Sequence, residues 1–219
     1  MKRKSASGKS PRLNFHPAAE NRWADLQELF GERGACGGCW CMAWRLPRAE
    51  YQAGKGEKNR KALMKLVKSK AAPGVLAYAG RKTIGWCAVA PRPEYSFLGR
   101  SRVLSEVDAL PVWSISCLFV LRSHRGRGVS TQLLRAAVRF AAAGGAKLVE
   151  GYPTIPYARS VPAAFLWTGT LTAFERAGFT EVARRSPSRP IMRAVVGRVE
   201  VALPRYQTLR FATSRAATL

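Results

Sequence analysis

A single stretch, residues 112–141, constrains the fold of this 219-residue chain more than any other. It begins with a run of β-branched and aromatic residues, bounded by Pro111 and a basic cluster from Arg122, which is typical of a buried strand. The turn Arg-Gly-Arg-Gly-Val-Ser follows at residues 125–130, and apolar residues then recur at helical spacing. The stretch therefore predicts a strand, a glycine-rich turn and a helix.

A glycine-rich turn that opens a helix is a natural site for an anion. Gly126 and Gly128 allow the backbone to approach a ligand closely, and the unpaired amides of the first helical turn attract negative charge. Arg122, Arg125 and Arg127 add positive charge beside them. Because the turn has neither the lysine of a nucleotide-triphosphate loop nor the dinucleotide fingerprint, we expect a different phosphate or pyrophosphate ligand.

The turn resembles the acyl-CoA signature of the GNAT superfamily of N-acetyltransferases, Gln/Arg-x-x-Gly-x-Gly/Ala. Arg125 and Gly128 match the signature, and Ser130 replaces its last small residue while keeping a hydroxyl that can donate to a phosphate oxygen. A second segment, Phe-Glu-Arg-Ala-Gly-Phe at residues 174–179, resembles the late-helix ending of the same family, Tyr-Glu-x-x-Gly-Phe. Both segments occur in the order that the family has.

The order of the predicted elements also resembles that of the GNAT superfamily. The expected strands cover residues 13–16, 75–79, 83–90, 113–120, 147–152, 180–185 and 191–196, and the expected helices cover residues 20–30, the second half of 48–70, 129–141 and 171–177. The resemblance implies an α/β (α+β) fold, with a mixed, mostly antiparallel central sheet, one parallel βαβ crossover and helices on both faces. We expect a disordered basic tail at residues 1–12, an acetyltransferase domain at 13–197 and a C-terminal extension at 198–219.

The charge and the cysteine content of the chain indicate which ligands it attracts and in which compartment it is found. The chain has 37 basic and 13 acidic residues, a formal charge of +24, which attracts anions such as CoA, nucleic acid or acidic protein. The simpler interpretation, arginines scattered over solvated surfaces, is favoured over a nucleic-acid function. No apolar run reaches the length needed to span a bilayer. Five cysteines, three of them within residues 36–41, form no secreted disulfide framework, so we expect a cytoplasmic protein.

The segment Cys-Gly-Gly-Cys-Trp-Cys-Met-Ala-Trp at residues 36–44 is the most unusual in the chain. A zinc site would need further ligands, and His16 and His124 are isolated, so no metal is expected. The thioredoxin pattern that would accompany a redox Cys-x-x-Cys is also missing. We interpret the segment as a reduced aromatic loop, and the GNAT resemblance places it beside the acceptor site. The residues expected to bind the acceptor are Trp40, Trp44 and Trp86.

The resemblance also implies how acetyl-CoA is held. Backbone amides at the end of the central strand would bind the pantetheine and polarise the thioester carbonyl, and amides of the glycine turn would bind the pyrophosphate. The expected cofactor-binding residues are Leu118, Phe119, Val120, Arg125, Gly126, Arg127, Gly128, Val129, Ser130, Thr131 and Phe174.

The acid and base of the reaction are less clearly indicated. Where the family often has a tyrosine near the CoA sulfur, this chain has Phe174, which cannot donate a proton. The leaving thiolate would take its proton from water or from one of three residues, Tyr152, Tyr157 or Thr170. Glu150 either accepts a proton through water or forms an ordinary salt bridge. Cys117 has no neighbouring histidine in sequence and is interpreted as a small core residue.

Three functions are compatible with these features. The first is an N-acetyltransferase that moves an acetyl group from acetyl-CoA to a primary amine by direct attack, with a small-molecule acceptor favoured. The second is a protein N-terminal or lysine acetyltransferase that docks acidic protein on its basic surface. The third, suggested by Phe174 and by the charge, is a non-catalytic protein that binds CoA or nucleic acid.

Overall fold

The computed structural model describes residues 13–69, 72–156 and 161–198. The tail predicted at residues 1–12, Tyr157 and the extension beyond residue 198 lie outside these ranges. Within them, no helix combines the length and apolar character needed to cross a bilayer.

Seven strands form one sheet in the order β1-β2-β3-β4-β5-β7-β6. The pairing of β4 with β5 is parallel, and the other neighbouring pairs are antiparallel. The strands are β1 (Leu13–Pro17), β2 (Gly74–Ala79), β3 (Lys82–Pro91), β4 (Trp113–Val120), β5 (Leu148–Gly151), β6 (Thr180–Arg184) and β7 (Pro190–Val195). This mixed, mostly antiparallel sheet confirms the predicted fold class.

Helices cover both faces of the sheet. They are α1 (Trp23–Phe30), α2 (Arg48–Ala53), α3 (Glu57–Lys68), α4 (Val129–Ala143) and α5 (Leu171–Arg176). Residues 48–70, expected to be helical only in their second half, thus contain two short helices. Side chains alternate along the strands: Val75 and Ala77 pack with α4 and α5, whereas Leu76 and Tyr78 pack with α1 and α3.

The two central strands part soon after they meet. The parallel pairing of β4 with β5 runs only from Trp113 to Ile115, so the rest of β4 has no strand partner on that edge. A segment that we call the strap, residues 161–169, lies there instead and includes a short 3-10 helix at Ala163–Leu166. The backbone amide of Leu118 donates to the carbonyl of Trp167 at 2.6 Å. The strap therefore occupies the free edge of β4.

Close packing between β5 and α5 makes Gly151 intolerant of a side chain. A Cβ at Gly151 would overlap the ring of Phe174, which is fully buried. We expect Gly151→Ala to lower the free energy of unfolding by about 2 kcal/mol, as overpacking of a core does. Urea denaturation measures the change. The control is Gly99→Ala, where nothing lies within 4 Å of the added methyl group; equal losses in both variants would contradict the assignment.

Candidate active site

The glycine turn and the start of α4 form a cavity of about 230 Å³, which we call the cradle. Gly126 and Gly128 have φ angles of 72° and 74°, in the left-handed region that favours glycine. Gly128 is the N-cap of α4 and offers no side chain to the helix, so the amides of the first turn are not capped by it. Ser130 and Thr131 add hydroxyl groups to the lining. The cradle thus has the donors and the dipole that bind phosphate.

Two arginines line the cradle, and only one of them was predicted. Arg125 contributes to the lining and its Nε donates to the carbonyl of Val120 at 2.8 Å, which ties the turn to the end of β4. Arg127 is exposed and does not line the cavity, so its help in binding phosphate stays a prediction. Arg176, at the end of α5, lines the cradle in its place. The sequence could have indicated Arg176, because it lies inside the segment at residues 174–179 that resembles the late helix of the family.

A second cavity, of about 330 Å³, opens beside the same strand and is called the thiol cavity here. Leu118 and Phe119 of β4 line it, and Val120, the next residue, lines the cradle. Its other walls come from the loop at residues 31–47 between α1 and α2, called the cysteine loop, and from α2 and the strap. The cradle and the thiol cavity therefore meet at the end of β4.

Of the three tryptophans expected in the acceptor pocket, Trp44 alone lines the thiol cavity. Trp86 is fully buried, and Trp40 stacks on Trp23 with ring centroids 6.0 Å apart. The rings of Trp40 and Trp86 pack instead in the core cluster with Leu26, Leu29 and Phe30 of α1, and their contact with an acceptor stays a prediction. Trp167 of the strap was missed; it lines the cavity and meets Trp44 edge to face at 5.3 Å.

Four of the five cysteines line the thiol cavity: Cys36, Cys39, Cys41 and Cys117. The Sγ atoms of Cys41 and Cys117 lie 3.2 Å apart, within hydrogen-bond distance, and both residues are buried. The hydrogen bond from Cys41 and burial raise the pKa of the Cys39 thiol, and contact with Cys117 raises that of Cys41. Within residues 13–69, 72–156 and 161–198, no three potential ligands are grouped to hold a metal ion.

Glu150 belongs to a buried ion pair. Its Oε1 accepts from Arg193 Nη2 at 2.6 Å, and its Oε2 accepts from the hydroxyl of Tyr152 at 2.9 Å and faces Arg92 Nη1 at 3.5 Å. Burial raises the pKa of Tyr152, whose hydroxyl also accepts from Arg92 at 2.8 Å. Neither Glu150 nor Tyr152 lines the cradle or the thiol cavity, so their catalytic role stays a prediction. The salt-bridge interpretation of Glu150 agrees with the structure.

The remaining predicted residues also lie away from the thiol cavity. Thr170 lines the cradle and caps α5 by accepting from the amide of Ala173, and its role in proton transfer stays a prediction. Phe174 is fully buried against Phe179, with ring centroids 5.0 Å apart, and lines neither cavity. The ring of Phe174 fills the core between α5 and the sheet, and its contact with the cofactor stays a prediction.

Comparison with known proteins agrees with this geometry. The family model described as Acetyltransferase (GNAT) family matches residues 40–159, more than half of the chain. The chain therefore belongs to the GNAT acetyltransferase family and is an acyltransferase. A search of curated proteins gave no significant match.

Solved structures share the fold at low sequence identity. A GNAT-family acetyltransferase from Listeria monocytogenes is 9% identical, with a TM-score of 0.52 over 84% of this chain and 94% of that one. A mosquito arylalkylamine N-acetyltransferase-like protein is 11% identical, also with a TM-score of 0.52, over 84% and 100% of the two chains. The PaiA N-acetyltransferase of Thermoplasma acidophilum, in complex with coenzyme A, is 15% identical, with a TM-score of 0.47 over 84% and 98%.

The ion pair of Glu150 gives a test that separates structure from catalysis. Glu150→Gln removes the anion between Arg92 and Arg193, and we expect the free energy of unfolding to fall by about 3 kcal/mol because both arginines lose their buried partner and keep only the exposed carboxylates of Glu106 and Asp108. Acetyl transfer per folded molecule should be kept. Asp108→Asn, which removes the exposed partner of Arg193, is the control and should lose much less stability. If Glu150→Gln is fully folded but loses turnover, Glu150 has a catalytic role.

Proposed function

We propose that this protein transfers an acetyl group from acetyl-CoA to the primary amine of a small molecule by direct attack of the amine on the thioester. The observation that carries the proposal is the meeting of the cradle and the thiol cavity at Leu118, Phe119 and Val120. A cofactor with its pyrophosphate in the cradle would extend along β4 and present its thioester to the thiol cavity. Donor and acceptor would then be held together, which removes much of the entropic barrier to the reaction.

The cradle supports pyrophosphate binding through several kinds of donor. The amides of the first turn of α4 carry the positive end of the helix dipole, and Ser130 and Thr131 add hydroxyl groups. The guanidinium groups of Arg125 and Arg176 can form charge-assisted hydrogen bonds to phosphate oxygens. These donors come from two elements, α4 and α5, so the ligand would be clamped between the two helices.

The pantetheine arm would bind where the strap now lies. The amide of Leu118 donates to the carbonyl of Trp167 at 2.6 Å, and a pantetheine carbonyl would accept from the same amide. Since one amide proton cannot serve both acceptors well, entry of the cofactor requires the strap to shift. Gly169, with a φ angle of 90°, gives the strap a conformationally permissive end.

The thiol cavity suits an amine with an apolar body. Its walls include the rings of Trp44 and Trp167 and the side chains of Leu118 and Phe119. An apolar environment disfavours the ammonium form and lowers the pKa of a bound amine, which yields the neutral nucleophile that direct attack needs. Tyr51 also lines the cavity; burial raises its pKa, so its hydroxyl stays protonated and can donate to the leaving thiolate.

Binding of acetyl-CoA is tested by Gly128→Glu, which places a carboxylate in the cradle. We expect calorimetry to detect tight binding to the natural protein and none to the variant, because the carboxylate fills the site and repels phosphate. The control is Gly145→Glu, at the other end of α4, where the glycine also has a positive φ and open space around it. If the natural protein does not bind acetyl-CoA, or both variants lose binding equally, the assignment of the cradle is wrong.

The acceptor site is tested by Trp44→Ala, assayed as CoA release across a panel of amines. We expect kcat/KM for apolar amines to fall by about 10- to 100-fold, since an aromatic wall is lost, while acetyl-CoA affinity is kept. Trp113→Ala, which removes an indole packed on Phe140 outside the cavity, is the control. Turnover of peptide amines alone would instead favour protein acetylation.

A further inference from the structure

The thiols of Cys41 and Cys117 have no part in the acetyl transfer proposed above, yet the fold brings them together on one face of the sheet. The two residues are 76 positions apart in the chain, and their Sγ atoms are 3.2 Å apart. From its other side, Cys41 Sγ accepts from the indole Nε1 of Trp86 at 3.1 Å. Contacts on both sides thus fix the position of the Cys41 sulfur.

The cysteine loop holds Cys41 there in an unfavourable backbone conformation. Trp40 and Cys41 have φ angles of 42° and 54°, in the left-handed region that residues with a side chain rarely adopt. Packing keeps this conformation: Trp40 stacks on Trp23, and a Cβ at Gly34 would overlap the indole of Trp40. Such backbone strain persists where the surrounding structure imposes it, and it is concentrated at functional sites.

We propose that Cys41 and Cys117 are a redox modification site, which hydrogen peroxide converts to an intramolecular disulfide. One thiolate attacks a peroxide oxygen and gives a sulfenic acid with loss of hydroxide, which takes up the released proton. The second thiol then attacks the sulfenic sulfur, and water leaves as the S–S bond forms. In total, two thiols lose two electrons and two protons, and one peroxide becomes two waters.

The contact at 3.2 Å favours the pairing of Cys41 with Cys117, and Cys39, whose thiol also hydrogen-bonds to Cys41, is the competing partner. The folded chain already holds the two sulfurs in contact, so the second step is intramolecular and has a high effective concentration. The sulfurs must approach by about 1 Å to reach the length of an S–S bond, a shift that a surface loop can supply. Burial and the thiol–thiol contact raise the pKa of Cys41 and keep it protonated. The site therefore reacts slowly, unlike cysteines whose lowered pKa makes them rapid peroxide sensors.

Formation of the disulfide would change the thiol cavity, where the acceptor is proposed to bind. Both sulfurs line the thiol cavity, whereas neither cysteine lines the cradle. The bond would fix the cysteine loop to β4 beside Leu118, so the cavity could not adjust to an acceptor. This consequence depends on the proposed function, and it predicts that amine turnover falls while acetyl-CoA binding is kept.

The crosslink is tested in the full-length protein with hydrogen peroxide, followed by alkylation, proteolysis and mass spectrometry without reductant. We expect one disulfide-linked peptide pair that contains Cys41 and Cys117, and a rise in melting temperature on the order of 10 °C that dithiothreitol reverses. Cys41→Ala and Cys117→Ala should each abolish both effects. Cys87→Ala is the control: its thiol is also buried, on β3, but it lies outside the cavity, so the crosslink should persist. A different pairing, or no crosslink, would overturn the proposal.

A second measurement isolates the functional consequence. Oxidised and reduced protein are compared for acetyl-CoA affinity by calorimetry and for amine-dependent CoA release. Retained affinity with at least a tenfold loss of kcat/KM for the amine, restored by dithiothreitol, supports the effect on the acceptor side. A crosslinked enzyme with full turnover overturns that effect and leaves the disulfide as a structural bond. Absence of turnover in the reduced protein counts against the proposed function and not against the crosslink.

Discussion

The free edge of β4 is the constraint on which the rest of the site depends. Parallel pairing with β5 ends at Ile115, and beyond that point the backbone of β4 must find other hydrogen-bond partners. The amide of Leu118 is satisfied by the strap, and the carbonyl of Val120 is satisfied by the side chain of Arg125. The same few residues therefore attach the strap, position the glycine turn and separate the two cavities.

Features that depend on neighbouring residues could be predicted from the sequence. The turn around Gly126 and Gly128 needs a positive φ at both positions, and its role follows from the strand before it and the helix after it. The order of strands and helices was predictable for the same reason, since apolar periodicity is a local signal. Even so, the pattern could not show that residues 48–70 begin with a separate short helix.

Features that depend on packing between distant segments could not be predicted. In the sequence, Trp44 and Trp86 look equally suited to line a pocket. The packing of the cysteine loop fully buries Trp86, whereas Trp44 lines the thiol cavity. Glu150 is neutralised by Arg92 and Arg193, which lie 58 and 43 positions away, and nothing around Glu150 in sequence indicates either partner. Arg176 reaches the cradle because the end of α5 lies beside the start of α4.

Under the proposed function, the position of the strap would link the binding of the cofactor to the binding of the acceptor. The carbonyl of Trp167 accepts from the amide of Leu118, and the residue also lines the thiol cavity. The same segment would therefore contact both the cofactor and the acceptor. If the strap is open in only a fraction of molecules, the apparent affinity for the cofactor falls to that fraction of its intrinsic value. An acceptor that packs better against the closed strap would weaken cofactor binding, and the cofactor would weaken acceptor binding by the same factor.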